Sequence, residues 1–296
     1  MKELSTYITA DTTVDYLSNY IIKLSESKII CDVAPYNQVS QVLLSDPKAN
    51  NLIIWSCPDL QIPTYAKKLL FEEVKIEEIM EEVLQFANKI KIAAKQYKSI
   101  FMISWSFPPE QKWPLALSSK PNFGAMDILL RMNIYLSDLL KDLKNFFIID
   151  SIFLQSNFLS NIHDPRLFAI GRIKYALDYQ EYVARELVPI LFSTIESNKK
   201  LIICDLDNTL WSGILGDDGI DGIKVGGNDP LGEAHLQIQK IIKGYKNRGI
   251  VLAIASKNYE ETALQAISSL PNMLLCKNDF ATYRINWFDK AKNISE

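Results

Sequence analysis

The sequence predicts an α/β fold with largely parallel sheets, divided between two domains over its 296 residues. Short apolar runs alternate with longer amphipathic stretches through the first two thirds of the chain, a pattern typical of βαβ units. A polar cluster at residues 196–200 then precedes a new apolar run at residues 201–204, which begins a second βα pattern. We therefore expect one domain at residues 1–197 and another at residues 198–296.

Each element of the first domain follows from its local pattern. Strands are predicted where short apolar runs are bounded by polar residues, at 7–9, 28–31, 52–55, 100–104 and 146–150. Helices are predicted where apolar residues recur at helical spacing, at 14–24, 71–95, 125–143 and 177–195. The charges of the longest helix complement the helix dipole. It opens with Glu72, Glu73, Glu77 and Glu78 and closes with Lys89, Lys91 and Lys95.

A loop rich in proline and serine, at residues 107–122, interrupts this pattern. It is bordered by Trp105 and contains Trp113. Two interpretations stay open: the loop lines a cleft at the strand ends, or it is an insertion packed by its own aromatic residues.

Composition excludes several classes of protein. A net charge of −3, from 32 basic and 35 acidic residues, gives no electrostatic reason to expect nucleic acid as a partner. No stretch approaches the roughly 20 apolar residues of a membrane span. The two histidines and four cysteines form neither a His-rich metal centre nor a CxxC pair. Because this cysteine distribution fits a reducing compartment, we expect a cytoplasmic protein.

Two acids, Asp205 and Asp207, directly follow the run at residues 201–204. In extended backbone they project to one side, where a divalent cation relieves their mutual repulsion. One acid can then attack phosphorus while the other handles the proton. An EF-hand is excluded because its sixth and twelfth positions would hold Leu210 and Gly216. From spacing alone, a strand end with two solvated acids is an equal alternative.

The segment Asp-Leu-Asp-Asn-Thr-Leu-Trp at residues 205–211 resembles the first motif, DxDxT, of the haloacid dehalogenase (HAD) superfamily of phosphotransferases. Extended to Gly216, it is similar to the FkbH-like branch of that superfamily. Residues 249–258 resemble the second motif, a strand ending in a phosphate-binding serine, and residues 285–294 resemble the third, which carries a lysine. The resemblance is specific over residues 200–296. It is weaker upstream, where it implies an SGNH-hydrolase-like domain with a flavodoxin-like, three-layer fold.

The resemblance implies a HAD domain with a Rossmann-like parallel sheet and assigns roles to five residues. Asp205 is the nucleophile that forms an aspartyl-phosphate, and Asp207 is the general acid and base. The two acids hold Mg²⁺, Asp207 through its backbone carbonyl. Thr209 steadies the loop on the phosphate side, Ser256 binds the phosphoryl oxygens, and Lys290 neutralises their charge.

The superfamily's fourth motif, an acidic pair that completes the Mg²⁺ site, has no counterpart before Glu296. We therefore expect an incomplete HAD domain that is truncated, completed by another chain, or vestigial. Loss of a coordinating carboxylate predicts weaker Mg²⁺ binding.

The upstream domain lacks the residues of an SGNH triad. The first strand is followed by Asp11 and two threonines, without a serine, and Leu167 takes the place of the histidine expected after Asp164. His163 lies on the wrong side of that acid. We expect instead a docking surface for an acyl carrier protein or its pantetheine arm.

FkbH-like proteins load a glyceryl group from a glycolytic acyl phosphate onto an acyl carrier protein in polyketide pathways, and this transfer is thought to pass through a cysteine. Strand alternation favours Cys204 as a small core residue over an acyl carrier. Cys276, near the end of a predicted strand, is interpreted in the same way. Whether Cys57 faces a cleft in the first domain stays open. The segment 216–219 is predicted to be a turn. His235 is placed in a helix that begins at Asp229 and a following proline.

Three hypotheses for function remain at this point. The first is FkbH-type glyceryl loading with Mg²⁺, a phosphorylated three-carbon donor and an acyl carrier protein. The second is a generic HAD phosphatase acting on a small phosphate ester. The third is an inactive chain whose first domain only binds a partner. Substrate preference separates the first two, and dependence on Asp205 separates both from the third.

Overall fold

The structure is a computed structural model and describes residues 4–108, 111–195 and 199–295. The chain divides into two compact units after residue 196. The boundary predicted between residues 197 and 198 lies outside the described residues. Both units are α/β with parallel sheets, so the predicted fold class is confirmed.

The first unit alternates strands and helices along most of its length. Its strands are β1 (Leu4–Ala10), β2 (Ile29–Val33), β3 (Asn51–Trp55), β4 (Ser99–Ile103) and β5 (Phe146–Ile149). Its helices are α1 (Asp15–Leu24), α2 (Val39–Leu44), α3 (Pro58–Gln61), α4 (Pro63–Leu69), α5 (Ile76–Ala93), α6 (Leu115–Ser118), α7 (Ala125–Leu140), α8 (Ser151–Ser156), α9 (Pro165–Gly171) and α10 (Leu177–Phe192).

The sheet of the first unit is parallel, in the order β2-β1-β3-β4-β5, and carries a core on each face. On one face Leu17 of α1 and Val183 of α10 pack with Ile8 of β1. On the other face Phe86 of α5 and Met132 of α7 pack in a separate cluster that includes β3 and β4 side chains. Side chains of successive strand residues point to opposite faces, so buried strands with apolar residues throughout support helices on both sides. The result is a three-layer arrangement.

The start of the longest helix differs from the prediction. Phe71 takes a φ of 65°, in the left-handed region, so the chain turns there and α5 begins only at Ile76. Glu72 and Glu73 therefore precede the helix, and Lys95 lies beyond its end. The charges that complement the helix dipole are fewer than predicted.

The aromatic residues of the loop 107–122 are packed. The Trp113 ring stacks on Phe71 with 4.3 Å between centroids, and it meets Phe123 edge-on at 5.9 Å. Its indole nitrogen donates to the Leu69 carbonyl at 3.2 Å. Trp105 is buried and donates to Ser56 Oγ at 2.9 Å. These contacts favour the packed insertion over a cleft wall, while residues 109 and 110 lie outside the described residues.

The second unit has a parallel sheet in the order β6-β7-β8. Its strands are β6 (Leu201–Cys204), β7 (Val251–Ser256) and β8 (Thr282–Ile285). Its helices are α11 (Leu215–Gly222), α12 (Pro230–Asn247), α13 (Glu260–Ser269) and α14 (Lys290–Ser295), with a 3₁₀ turn at Lys277–Asp279. The register pairs Cys204 with Ile254 and Ser256 with Ile285, which brings the carboxyl ends of the three strands to one edge.

Two local predictions in this unit are wrong. The segment 216–219 lies within α11, which is broken at Gly219 (φ 66°, ψ 178°), because the backbone turns helically before the glycine. Cys276 is exposed and precedes the 3₁₀ turn, where its N–H and its thiol donate to the Asp279 carboxylate. Cys204, in contrast, is buried in the core as predicted. Within the described residues, no helix has the length and hydropathy that crossing a membrane requires.

Candidate active site

Three predicted site residues meet at the carboxyl edge of the second sheet. Asp205 directly follows β6, Ser256 is the last residue of β7, and Lys290 begins α14 after β8. In open parallel sheets, ligands bind outside the carboxyl ends of the strands. The fold therefore places these side chains where such a sheet presents a binding site.

Asp205 and Lys290 form an ion pair. The Lys290 Nζ lies 2.5 Å from Asp205 Oδ2, and the Leu206 N–H donates to Asp205 Oδ1 at 2.8 Å. Partial burial acts to raise the pKa of Asp205, but the bonds from Lys290, Leu206 and Ser256 outweigh it and hold that pKa below its ordinary value. The Asp205 side chain is 37% exposed. It is therefore an ionised carboxylate that solvent and a ligand can reach.

Asp207 accepts three N–H donors. Trp211 Nε1 at 2.9 Å and the Leu215 N–H at 3.0 Å donate to Oδ1, and Asn258 Nδ2 donates to Oδ2 at 2.9 Å. Asn258 Nδ2 also lies 3.2 Å from Ser256 Oγ. Because β6 ends at Cys204, the two acids do not continue a strand. They bind different partners and are linked through Asn258 and Ser256.

The loop between Asp207 and α11 is closed by Asn208 and Gly213. The Asn208 N–H donates to the Gly213 carbonyl at 3.2 Å, and the Gly213 N–H donates to Asn208 Oδ1 at 3.0 Å. Gly213 has a φ of 101°, a conformation that a side chain would strain. Thr209 is held through its backbone, since its N–H donates to Leu206 and its carbonyl accepts from His235. Its predicted role in phosphate binding stays a prediction.

Sequence reasoning missed the residues that support this loop. His235 Nδ1 lies 2.8 Å from the Thr209 carbonyl, and Gln239, one turn further along α12, donates to the Leu210 carbonyl at 2.7 Å. Asn258 and Trp211 hold Asp207 through hydrogen bonds. Both lie within the motifs that the sequence shows, but the sequence predicted no role for either residue. The available signal was a polar residue on the buried face of an amphipathic helix, since Gln239 is fully buried.

The oxygen donors at this edge fit the requirements of Mg²⁺. Among the described residues, no group of three or more His, Cys, Asp or Glu side chains lies together to form a metal cage. Mg²⁺ does not need one, because it retains several waters and is commonly bound by one or two carboxylates together with substrate phosphates. An ionised, partly exposed Asp205 carboxylate fits that kind of site.

The corresponding edge of the first unit holds no SGNH triad among its described residues. Asp164 caps α9, its carboxylate accepting from the N–H groups of Arg166 and Leu167. His163 Nδ1 lies 3.2 Å from the Lys174 carbonyl. Cys57 is buried, and burial raises the pKa of its thiol to about 12. The open possibility that Cys57 faces a cleft is therefore not supported.

Asp11, which follows β1, is buried at this edge and bonded. The Cys57 N–H donates to its carboxylate at 2.9 Å and Gln61 Nε2 donates at 3.0 Å. Burial raises the pKa of Asp11 to about 6, against the effect of these bonds and of the nearby Lys174 charge. Asp11 is thus a carboxyl group held in the interior.

No family model and no curated protein sequence matches the chain. Among solved structures, the N-terminal part of the protein BF1531 from Bacteroides fragilis, which contains a phosphatase domain and was crystallised in complex with Mg, is similar. It is 25% identical with a TM-score of 0.80, over 99% of this chain and 79% of that chain.

Esterases and lipases are more distant. An acetylxylan esterase from Geobacillus stearothermophilus matches 66% of this chain and 97% of its own at 10% identity and a TM-score of 0.41. A lipase/acylhydrolase from Enterococcus faecalis matches 63% of this chain and 96% of its own at 10% identity and a TM-score of 0.37. Similarity this low supports no conclusion. At a coarse level, the chain is similar in fold to a protein that contains a phosphatase domain and was crystallised in complex with Mg.

Proposed function

We propose that the protein is a Mg²⁺-dependent phosphatase or phosphotransferase of the HAD type, acting on a phosphorylated small molecule through an aspartyl-phosphate on Asp205. The observation that carries this proposal is the ion pair between Asp205 and Lys290 at the carboxyl edge of the second sheet. Such a pair supplies an ionised nucleophile with a cation beside it.

The chain's own residues account for most of the steps. An oxygen of Asp205 attacks phosphorus, and the bond from phosphorus to the leaving-group oxygen breaks. Lys290 and the Ser256 hydroxyl then face the charge that spreads over the phosphoryl oxygens. Asp207 lies one residue beyond Leu206 and is the group that gives a proton to the leaving oxygen. It later takes a proton from the water that attacks phosphorus, and the bond from the Asp205 oxygen to phosphorus then breaks and releases phosphate. Its three N–H donors hold the carboxylate in a fixed orientation.

Mg²⁺ would be held by the Asp205 carboxylate and the Asp207 backbone carbonyl. When bound, it supplies positive charge that stabilises the transferring phosphoryl group. The Mg in the similar structure from Bacteroides fragilis supports this assignment. A cytoplasmic location is part of the same proposal, supported by four cysteines that are all free thiols.

The test is phosphate release with Mg²⁺ from acetyl phosphate and from a panel of phosphomonoesters. Asp205→Asn should lower the rate at least about 1,000-fold, as expected for loss of a nucleophile. The matched control is Asp221→Asn, at an exposed acid in α11, which should behave as the wild type. Equal release by wild type and Asp205→Asn would contradict the proposal and favour a partner-binding role.

A narrower form of the proposal is FkbH-type glyceryl loading onto an acyl carrier protein. It is supported by the resemblance of residues 205–216 and by the partial exposure of Asp205, which an acceptor can reach from solvent. This form predicts a preference for a three-carbon acyl phosphate over phosphomonoesters, and a covalent glyceryl group on the carrier. It further predicts that the first unit binds the carrier, measured with the full chain. A broad phosphomonoester profile without carrier loading would leave the generic phosphatase.

A further inference from the structure

Two exposed aromatic residues, Tyr259 and Trp287, form a pair beside the candidate active site. Their ring centroids are 5.7 Å apart, with the ring planes at 68°. Tyr259 is 69% exposed and Trp287 is 59% exposed. The other four of the chain's five tryptophans are buried, so Trp287 is an exception within its own protein.

The pair belongs to the same sheet edge as the reacting groups. Tyr259 directly follows Asn258, whose side chain donates to Asp207. Trp287 lies two residues beyond the end of β8 and three before Lys290, which contacts Asp205. The registered pairing of Ser256 with Ile285 brings the two short connections side by side.

The turn that carries Trp287 is held by hydrogen bonds. The Asn286 N–H donates to the Ser256 carbonyl at 3.1 Å, and the side chains of Asn286 and Asn293 bond to each other at 2.8 Å. Asn286 Oδ1 also accepts from the Phe288 N–H at 3.0 Å. The indole is therefore presented from a fixed backbone, and a ligand that contacts it does not have to order the turn.

We propose that Tyr259 and Trp287 bind the organic part of the substrate, and that the substrate is a phosphate monoester whose organic part has a flat, apolar face. The inference rests on the proposed function in its generic phosphatase form, because the phosphoryl group of a phosphate monoester must lie against Asp205 and Lys290. A single exposed apolar residue is ordinary, but two exposed rings paired next to residues of the candidate site offer a surface on which a flat apolar group can stack.

The expected contribution is modest and measurable. Stacking on an aromatic ring strengthens binding by about 3- to 10-fold beyond simple burial. Phenylphosphonate and methylphosphonate share a phosphonate head that resists hydrolysis and differ in the flat group. We therefore expect the full chain, with Mg²⁺, to bind phenylphosphonate about 3- to 10-fold more tightly than methylphosphonate in calorimetric titrations.

Variants assign this preference to the pair. Trp287→Ala should bring the ratio of the two dissociation constants close to 1 while methylphosphonate binding stays at the wild-type level. Trp287→Phe, which retains a ring, should keep most of the preference. The matched control is Tyr245→Ala, which also removes an exposed aromatic ring. Tyr245 lies near the end of α12, and its carbonyl accepts from the Ile250 N–H at the amino end of β7. The candidate site lies at the other, carboxyl end of that strand. The control should retain the full ratio.

The outcomes distinguish this inference from the proposed function. If methylphosphonate binds and Lys290→Ala weakens it, but phenylphosphonate binds no better, the inference is wrong and the phosphoryl site stands. A preference that survives Trp287→Ala also overturns the inference. If neither phosphonate binds and phosphate release does not depend on Asp205, both fail.

Discussion

The indole nitrogen of Trp211 donates to Oδ1 of Asp207 at 2.9 Å, and this bond joins the core of the second unit to its reactive edge. Trp211 is fully buried in that core, among residues that include Leu206 and Leu210. The orientation of the Asp207 carboxylate therefore depends partly on a side chain that packs in the interior.

Trp211→Phe is expected to separate these two roles. The phenyl ring keeps most of the packing, whereas the bond to Asp207 is lost. We predict a fall of about 1–2 kcal/mol in the free energy of unfolding. We also predict a fall of about 3- to 10-fold in kcat with little change in KM. Steady-state kinetics beside denaturant unfolding would check this, and an unchanged kcat would show that the bond does not position Asp207.

Lys290→Ala is expected to raise the pKa of Asp205. The folded-state pKa is held low by bonds that include the one from Lys290, while partial burial acts in the opposite direction. Removing the lysine leaves burial less opposed, so the carboxylate should take up its proton at a higher pH. Carbon-13 NMR of the Asp205 carboxyl group, recorded without Mg²⁺, measures this directly. A pKa that stays unchanged would mean that the ion pair is not maintained in solution.

Asn258→Ala is expected to damage both stability and turnover. Asn258 is buried and donates to Asp207 and Ser256, so its removal leaves a carboxylate oxygen without this donor. We predict a loss of about 1–3 kcal/mol in the free energy of unfolding. The fall in kcat should be about 10- to 100-fold, because the acid and base is no longer fixed.

The control for Asn258 is Asn133→Ala in the first unit. Asn133 exchanges two bonds with the Trp105 backbone, at 3.0 and 2.8 Å, and its loss should also destabilise the protein. Phosphate release at a temperature where both variants are folded should fall only for Asn258→Ala. Equal loss in both variants would attribute the effect to stability alone.

Asp11→Asn is expected to remove a pH-dependent destabilisation of the first unit. Burial raises the folded-state pKa of Asp11 from 3.8 to about 6. Between about pH 4 and pH 6 the folded state therefore holds a proton that the unfolded state has lost, so stability from this group falls as pH rises. The wild type should lose about 2–3 kcal/mol relative to Asp11→Asn between pH 4 and pH 7. Urea unfolding of both proteins across that range would check the sign, and a constant difference would contradict the prediction.

Periodicity predicted the elements because each depends on nearby residues. The run at 201–204 matches β6 to the residue, and the helix predicted at 177–195 ends three residues early at Phe192. The start of α5 was missed because it depends on a left-handed residue, Phe71, whose ring is held by Trp113 far along the chain. That contact is invisible to a local pattern.

The candidate site likewise has a part that the sequence predicts and a part that depends on tertiary contacts. Asp205, Ser256 and Lys290 were found because motif resemblance marks them, and their meeting follows from parallel strands that end at one edge. The bonds from Asn258 and Trp211 to Asp207, and the enclosure of Asp11 by Cys57 and Gln61, depend on tertiary packing. No spacing rule predicts which buried polar group finds which partner.

The ion pair of the active site joins residues 85 positions apart in the sequence. During synthesis on the ribosome, Asp205 therefore emerges well before Lys290, and several seconds of elongation separate them at about 5–20 residues per second. A nascent chain that has exposed Asp205 alone has the carboxylate but lacks the positive charge of Lys290 beside it. The proposed phosphoryl chemistry needs both residues, so it would require α14 to have docked against the end of β6.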